Sequence, residues 1–154
     1  MGQRKYATQQ LGFFCCGEIN ENTPELIQSL MRSLVSSRMW ACSPPVFVDT
    51  TDEVEPNNQY GDLPVRNLGG TLTIYAANEG FLPLNLDERT LDDVIALVES
   101  VAKLSAEYLM EFEFYLDHAS VGIIGDGHMD ASLEKGLIDE WRQHLVAMKY
   151  KANA

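Results

Sequence analysis

The chain has 154 residues, of which 45% are hydrophobic, and a formal net charge of −12 at pH 7. This length and apolar content favour one folded domain spanning residues 1–154, with a core large enough to need no metal or disulfide, and they exclude general disorder. The shortage of basic residues also argues against direct nucleic-acid binding, which requires a positive surface to meet the phosphates.

The apolar runs are too short for a membrane segment. None approaches the roughly 18 consecutive apolar residues that cross a bilayer, and residues 11–16 lead directly into Gly17 and Glu18 instead of extending into a secretory signal. We therefore expect a cytoplasmic protein without membrane contact. The three cysteines, Cys15, Cys16 and Cys42, lack the repeated spacing of zinc ligands, so we expect reduced thiols, no metal and no cofactor.

The first predicted unit is a strand followed by a helix. Residues 11–17 are apolar and indicate a buried strand. Thr23 and Pro24 then supply a capping hydroxyl and a proline at the first helical position, with Glu25 in the first turn. The apolar spacing predicts that one face of this helix is buried, through Leu26, Ile27, Leu30, Met31, Leu34 and Val35.

A short strand at residues 46–48 precedes the most loop-like part of the chain, an acidic insertion at residues 49–70. Turn formers are frequent there, and no basic residue lies between Arg38 and Arg66. The acids of this segment are Asp49, Asp52, Glu53, Glu55 and Asp62. A loop of about twenty residues in a compact domain is often functional. A solvated insertion without a binding role accounts for the same composition.

Residues 71–76 are rich in β-branched side chains and predict another strand. A second loop, residues 78–89, is unusually apolar and includes Phe81, so part of it is expected to be buried or to contact a partner. Thr90 is the predicted cap of a second helix, with Asp92 and Asp93 in its first turn.

The C-terminal part has the clearest pattern. Met110, Phe112, Phe114 and Leu116 alternate with polar residues, and the apolar pattern resumes at residues 121–124, which together predict a β-hairpin. A helix capped by Asp130 follows. The whole order predicts an α+β domain: an antiparallel or mixed sheet of about five strands with three helices on one face, ending in this β-hairpin and helix.

Asp126, His128, Asp130 and Glu134 form the densest cluster of candidate catalytic groups. Carboxylates and an imidazole at a glycine-rich turn are the residue types of a metal or acid–base site. Their spacing does not follow the calcium-binding EF-hand, and Asp130 and Asp126 are equally explained as helix-terminal acids. A small metal-dependent enzyme using Asp126, His128 and Asp130 is therefore an alternative, and a non-enzymatic protein is the main expectation.

Charge is the strongest overall signal. From Glu79 to Asp126 the chain has eleven acidic residues against Arg89 and Lys103. Such a surface favours encounter with a basic partner, because opposite potentials accelerate association and orient the two molecules. A negative surface that only keeps the protein soluble explains the same counts.

The C-terminal region resembles the corresponding region of small bacterial immunity proteins that accompany polymorphic toxins. The likeness rests on residues 112–117, Val121-Gly122, Asp126-Gly127, Asp130, Ser132-Leu133 and residues 136–141, about a quarter of the chain. It implies a cytoplasmic, non-enzymatic antitoxin that binds one cognate toxin domain, often a nuclease. Such families differ in fold, so the resemblance does not assign contact residues.

These observations lead to a first hypothesis: an immunity or inhibitor protein that neutralises a basic toxin domain by protein–protein contact. Its partner-binding residues are predicted to be Asp52, Glu53, Glu55, Asp62, Phe81, Glu111 and Glu113. An acidic DNA mimic that blocks a phage-defence or restriction protein is a second hypothesis. The metal-dependent enzyme and a structural subunit of an acidic complex are the others.

Overall fold

The computed structural model describes residues 6–52, 65–76 and 82–152. Within these ranges, six antiparallel strands form one sheet in the order β2-β3-β1-β4-β5-β6. The elements in chain order are β1 (Thr8–Cys15), α1 (Thr23–Ser37), β2 (Val46–Asp52), β3 (Val65–Tyr75), α2 (Leu84–Tyr108), β4 (Glu111–Leu116), β5 (Ala119–Gly125), β6 (His128–Met129), a π-helix (Ser132–Asp139) and α3 (Glu140–Ala152).

The α+β class is confirmed, but the described sheet has six strands where about five were predicted. The additional strand is β6, which has two residues and pairs with Ile124 and Gly125 of β5. Asp126 and Gly127 make the turn before it, with φ values of 51° and 81°. The sequence marks this turn but not a strand, because two residues cannot show an alternating pattern.

One face of the sheet forms the core. The inward side chains of β1 and β4 include Leu11, Phe13, Phe112 and Phe114, all without solvent exposure, and the ring of Phe13 lies 5.8 Å from those of both Phe112 and Phe114. Buried side chains of α1, α2 and the π-helix belong to the same cluster. All three therefore pack on this inner face, as the alternation in β4 predicts.

The other face of the sheet, here called the open face, carries the alternate side chains of the same strands. Phe14 of β1 and Tyr115 of β4 lie there with ring centroids 6.2 Å apart, beside Glu111 and Glu113. Cys16 is exposed, whereas the neighbouring Cys15 is buried. Successive residues of an extended chain point to opposite faces, so this pair marks the two sides of the sheet.

The predicted loop at residues 49–70 is much shorter in the structure at both ends. β2 continues to Asp52 and β3 begins at Val65, and these two residues are paired across the strands. Residues 53–64 lie outside the described residues. Arg66 explains part of the difference: its guanidinium donates two hydrogen bonds to Asp49 at 2.9 and 2.8 Å. Asp49 is thus a cross-strand partner rather than a loop residue.

The second helix also begins earlier than predicted, at Leu84 instead of Thr90. Thr90 is buried within it and its hydroxyl donates to the carbonyl of Leu86 at 2.8 Å. Helix α1 begins at Thr23, one residue earlier than predicted, because Asn22 and not Thr23 is its N-cap, and no side chain caps it. Val35 of the predicted buried stripe is 41% exposed. Val35 lies in the last turn of the helix, outside the stripe of side chains that faces the sheet.

The C-terminal helix has two parts. Asp130 acts as the predicted cap, since its Oδ1 accepts a hydrogen bond of 3.0 Å from the backbone N–H of Leu133. Residues Ser132–Asp139 then form a π-helix, and α3 begins at Glu140. Gly122 of β5 has a φ of 149°, and an added Cβ there would lie 2.6 Å from both Asp130 Oδ1 and Leu133 Cβ. Glycine therefore allows the π-helix to approach the sheet closely.

Candidate acidic docking groove

A groove of about 790 Å³ lies at one end of the sheet, between the start of α1 and the end of α2. We call it the acidic groove, because five carboxylates line it and none of its described lining residues is basic. These carboxylates belong to Glu18, Glu21, Glu25, Glu111 and Asp126. Its largest apolar side chains are Leu26, Tyr108, Leu109 and Met110.

The β1–α1 connection forms one wall. The backbone N–H of Cys16 donates to the carbonyl of Glu111 at 3.0 Å, which continues the strand pairing beyond Cys15. Asn20 then organises the turn: its Oδ1 accepts from the backbone N–H of Asn22 at 2.8 Å and from the hydroxyl of Thr23 at 3.2 Å. These bonds hold Glu18 and Glu21 on either side of a fixed turn.

The end of α2 forms the other wall. Leu109 closes this helix in the left-handed conformation, with φ 54° and ψ 49°, and its N–H donates to the carbonyl of Ser105. That position is usually occupied by glycine or asparagine, and a bulky residue there is uncommon. Leu109 is nevertheless 78% exposed, and Tyr108 is 48% exposed. An apolar pair therefore stands at the border of the acidic groove.

The potential of the groove is negative for two reasons. Its five carboxylates have no basic neighbour among the lining residues described by the structure. The C-terminal end of α2 also points into this region, and a helix carries partial negative charge at that end. No basic residue occupies the last turn of α2 to offset it. A basic side chain is the natural complement to such a site.

Glu113 lies next to the groove on the open face. Its carboxylate accepts hydrogen bonds from the hydroxyl of Tyr115 at 2.7 Å and from that of Ser120 at 2.8 Å. The hydrogen bond from Tyr115, and to a smaller extent the one from Ser120, holds the pKa of Glu113 below its usual value of 4.5. Glu113 therefore keeps a fixed negative charge between two polar neighbours.

The strand register relates the groove to the predicted partner-binding residues. Glu111 lines the groove. Asp52 ends β2 at the same end of the sheet and accepts a hydrogen bond from the amide of Asn67 at 3.0 Å. Asp52 thus lies at the same end of the sheet as Glu111, and Glu113 lies on the same face as Glu111. The remaining predicted residues, Glu53, Glu55, Asp62 and Phe81, lie outside the described residues.

The sequence interpretation missed most of the acidic groove. Glu18, Glu21 and Glu25 were assigned no binding role, although the three acids occur within eight residues at a strand-to-helix connection. That local density is the signal that was available. Tyr108 and Leu109 could not be found in this way, because a helix ending in an apolar residue has the same pattern as one that continues into the core.

The other predicted cluster does not assemble. Asp126 lines the acidic groove, His128 is exposed on β6, and Asp130 caps the π-helix. Within residues 6–52, 65–76 and 82–152, no group of three or more His, Cys, Asp or Glu side chains has an arrangement that could hold a metal ion. The geometry therefore offers no support for a metal site at Asp126, His128 and Asp130.

Comparison with protein-family models, with curated proteins and with solved structures gave no match. Among the described helices, none combines the length and apolar character needed to cross a lipid bilayer.

Proposed function

We propose that this protein is an inhibitor of the immunity type, which binds a basic protein domain through the acidic groove and the adjoining carboxylates of the open face. The observation that carries the proposal is the acidic groove itself, which five carboxylates line and to which no described basic residue contributes. Like charges gathered at one site repel one another, and a cationic partner relieves that repulsion on binding.

The apolar border of the groove supplies the second element of a protein interface. Protein interfaces combine a few buried apolar anchors with a charged rim. Leu109 and Tyr108 are exposed beside the acids and are the candidate anchors. The resemblance of the C-terminal region to toxin immunity proteins points to a toxin domain as the class of partner. In that case binding blocks the active site of the toxin or a surface it needs.

A growth assay tests the proposal. The toxin domain encoded next to this chain, or a basic nuclease domain recovered with it, is co-expressed with the wild-type protein and with two charge-matched variants. The groove variant is Glu21→Lys with Glu111→Lys. The control variant is Glu99→Lys with Glu134→Lys, two exposed acids outside the groove. Both variants change the net charge by the same amount.

The expected result is that the wild type and the control variant restore growth and the groove variant does not. Association measured at low salt should slow by about tenfold or more for the groove variant only, because steering depends on local charge. Equal rescue by both variants would remove the groove from the interface. Displacement of the partner by duplex DNA would instead favour the DNA-mimic hypothesis, in which carboxylates occupy the positions of phosphates.

A further inference from the structure

A second cavity lies on the opposite side of the molecule's core, between the inner face of the sheet and the C-terminal helical segments. Its volume is about 590 Å³, within the range of roughly 300–1,000 Å³ that small-molecule sites occupy. Its walls are mainly apolar and are formed by Ile74, Leu116, Val121, Leu137 and Trp141. We call it the indole pocket, after Trp141. It shares no lining residue with the acidic groove.

The π-helix forms one wall of the indole pocket. Ser132, Gly136 and Leu137 of this helix line it, and an added Cβ at Gly136 would meet nothing within 4 Å. A glycine in the middle of a helix lowers stability relative to alanine, and the exposed position of Gly136 has room for a larger side chain. π-helical segments also occur frequently at functional sites.

The aromatic wall is fixed in orientation. The indole N–H of Trp141 donates to Oδ1 of Asp87 at 2.7 Å, and Asp87 is 5% exposed. A ring held by such a bond presents a constant surface for stacking. The face of an indole ring also attracts cations.

The polar groups of the indole pocket select the charge of its ligand. Glu140 contributes a carboxylate, and Gln9, Ser132 and His144 contribute hydrogen-bonding groups. None of the lining residues that the structure describes is Lys or Arg. We propose that the indole pocket binds a small molecule with a planar apolar body and a protonated amine, the body against Trp141 and the ammonium group near Glu140.

Three indole probes of similar size test this proposal: tryptamine, tryptophol and indole-3-acetate, which carry a cationic, a neutral and an anionic head group. Binding to the ¹⁵N-labelled protein is followed by the indole N–H signal of Trp141, assigned with a Trp141→Phe variant. We expect tryptamine to bind roughly threefold to tenfold more tightly than tryptophol, because its ammonium group pairs with the exposed carboxylate of Glu140 and contacts the face of the Trp141 ring. Indole-3-acetate should bind most weakly.

Two variants separate the pocket from general surface binding. Glu140→Gln should reduce the preference for tryptamine over tryptophol by about threefold without abolishing tryptophol binding. Gly136→Leu should fill the cavity and abolish binding of all three probes, while a thermal unfolding scan reports that the variant is folded. Equal affinity for the three probes, a preference for the anion, or undiminished binding by a folded Gly136→Leu variant would overturn the proposal.

Discussion

Trp141 of α3 and Asp87 of α2 are joined by a hydrogen bond of 2.7 Å between residues 54 positions apart in the sequence. The acceptor is a buried carboxylate, and burial raises the pKa of Asp87 above its usual value of 3.8, while the bond from Trp141 acts in the opposite direction. The indole N–H therefore compensates part of the cost of placing a charge between two helices.

Removal of this donor is the first prediction. Trp141→Phe keeps most of the apolar contact but leaves the Asp87 oxygen without its hydrogen bond, which should lower the free energy of unfolding by about 1–3 kcal/mol. Trp40→Phe is the matched control, because Trp40 donates to a backbone carbonyl, that of Leu34, at 3.2 Å. Urea unfolding should show the larger loss for Trp141→Phe. Equal losses would mean that the buried carboxylate does not depend on the indole.

The pH dependence of Asp87 is the second prediction. Because its native pKa is raised, the folded protein binds this proton at pH values where the unfolded chain has released it. The ionised carboxylate therefore lowers stability above the native pKa, and this loss is relieved as the pH falls through the raised pKa towards 3.8. Asp87→Asn removes this dependence.

The measurement compares the unfolding free energies of the wild type and Asp87→Asn between about pH 7.5 and about pH 4. The wild type should gain stability relative to the variant as the pH decreases. A difference that does not change with pH would show that Asp87 has equal pKa values in the folded and unfolded states.

The ion pair between Arg38 and Asp93 gives the third prediction. Arg38 Nε lies 3.0 Å from Asp93 Oδ1, and the other carboxylate oxygen accepts from the backbone N–H of Ala41 at 2.7 Å. Asp93 is buried and Arg38 is 32% exposed in its side chain. The pair connects the end of α1 to α2.

Arg38→Met should lower the unfolding free energy by about 2 kcal/mol, because it removes the counter-charge that contacts a buried carboxylate. The partial exposure of Arg38, and the more distant charge of Arg89, keep the effect below that of a fully buried isolated pair. In a double-mutant cycle, Arg38→Met should cost much less in an Asp93→Asn background. Additive losses would mean that the two charges do not interact.

The sequence predicted those strands and helices in which apolar residues recur at a regular spacing. The alternation at residues 110–116 identified the inner and the open faces of β4 correctly, including the positions of Glu111 and Glu113. The order of strands and helices followed from the same patterns, apart from the two-residue β6. These elements bury one side in a shared core, which imposes the period on the sequence.

The predictions failed where polar residues have tertiary partners. The sequence pattern places Asp87 in a loop and Asp93 at the start of a helix. In the structure both are buried, and their partners Trp141 and Arg38 are distant in sequence. Local propensity cannot anticipate such partners. The acids of the β1–α1 connection are dense in the sequence, but only the folded chain brings this connection and the end of α2 together to form the acidic groove.

Two glycines give the fourth prediction. An added Cβ at Gly122 would overlap Asp130 and Leu133 at a positive φ, whereas one at Gly136 would enter open space. Gly122→Ala should therefore lower the unfolding free energy by about 2 kcal/mol or more, from backbone strain and displacement of the π-helix. Gly136→Ala should raise it by about 0.5–1 kcal/mol. Changes of the same sign in both variants would contradict the described packing of the π-helix on β5.

Leu109 gives the fifth prediction, which separates stability from binding. Its side chain is largely exposed and its backbone is left-handed, a conformation that costs a leucine about 1–2 kcal/mol and a glycine almost none. Leu109→Gly should therefore leave the unfolding free energy unchanged or raise it by up to about 1 kcal/mol, because the greater entropy of an unfolded glycine offsets part of the relief.

The same variant should bind the basic partner of the proposed function less tightly, by about tenfold, because an exposed apolar anchor at the border of the acidic groove is lost. Leu109→Asn is the control for backbone conformation, since asparagine also adopts the left-handed state readily but cannot replace the apolar contact. It should be as stable as Leu109→Gly and bind as weakly. If both variants were destabilised by more than about 1 kcal/mol, Leu109 would be held in this conformation by the fold, and its role as a binding anchor would lose its support.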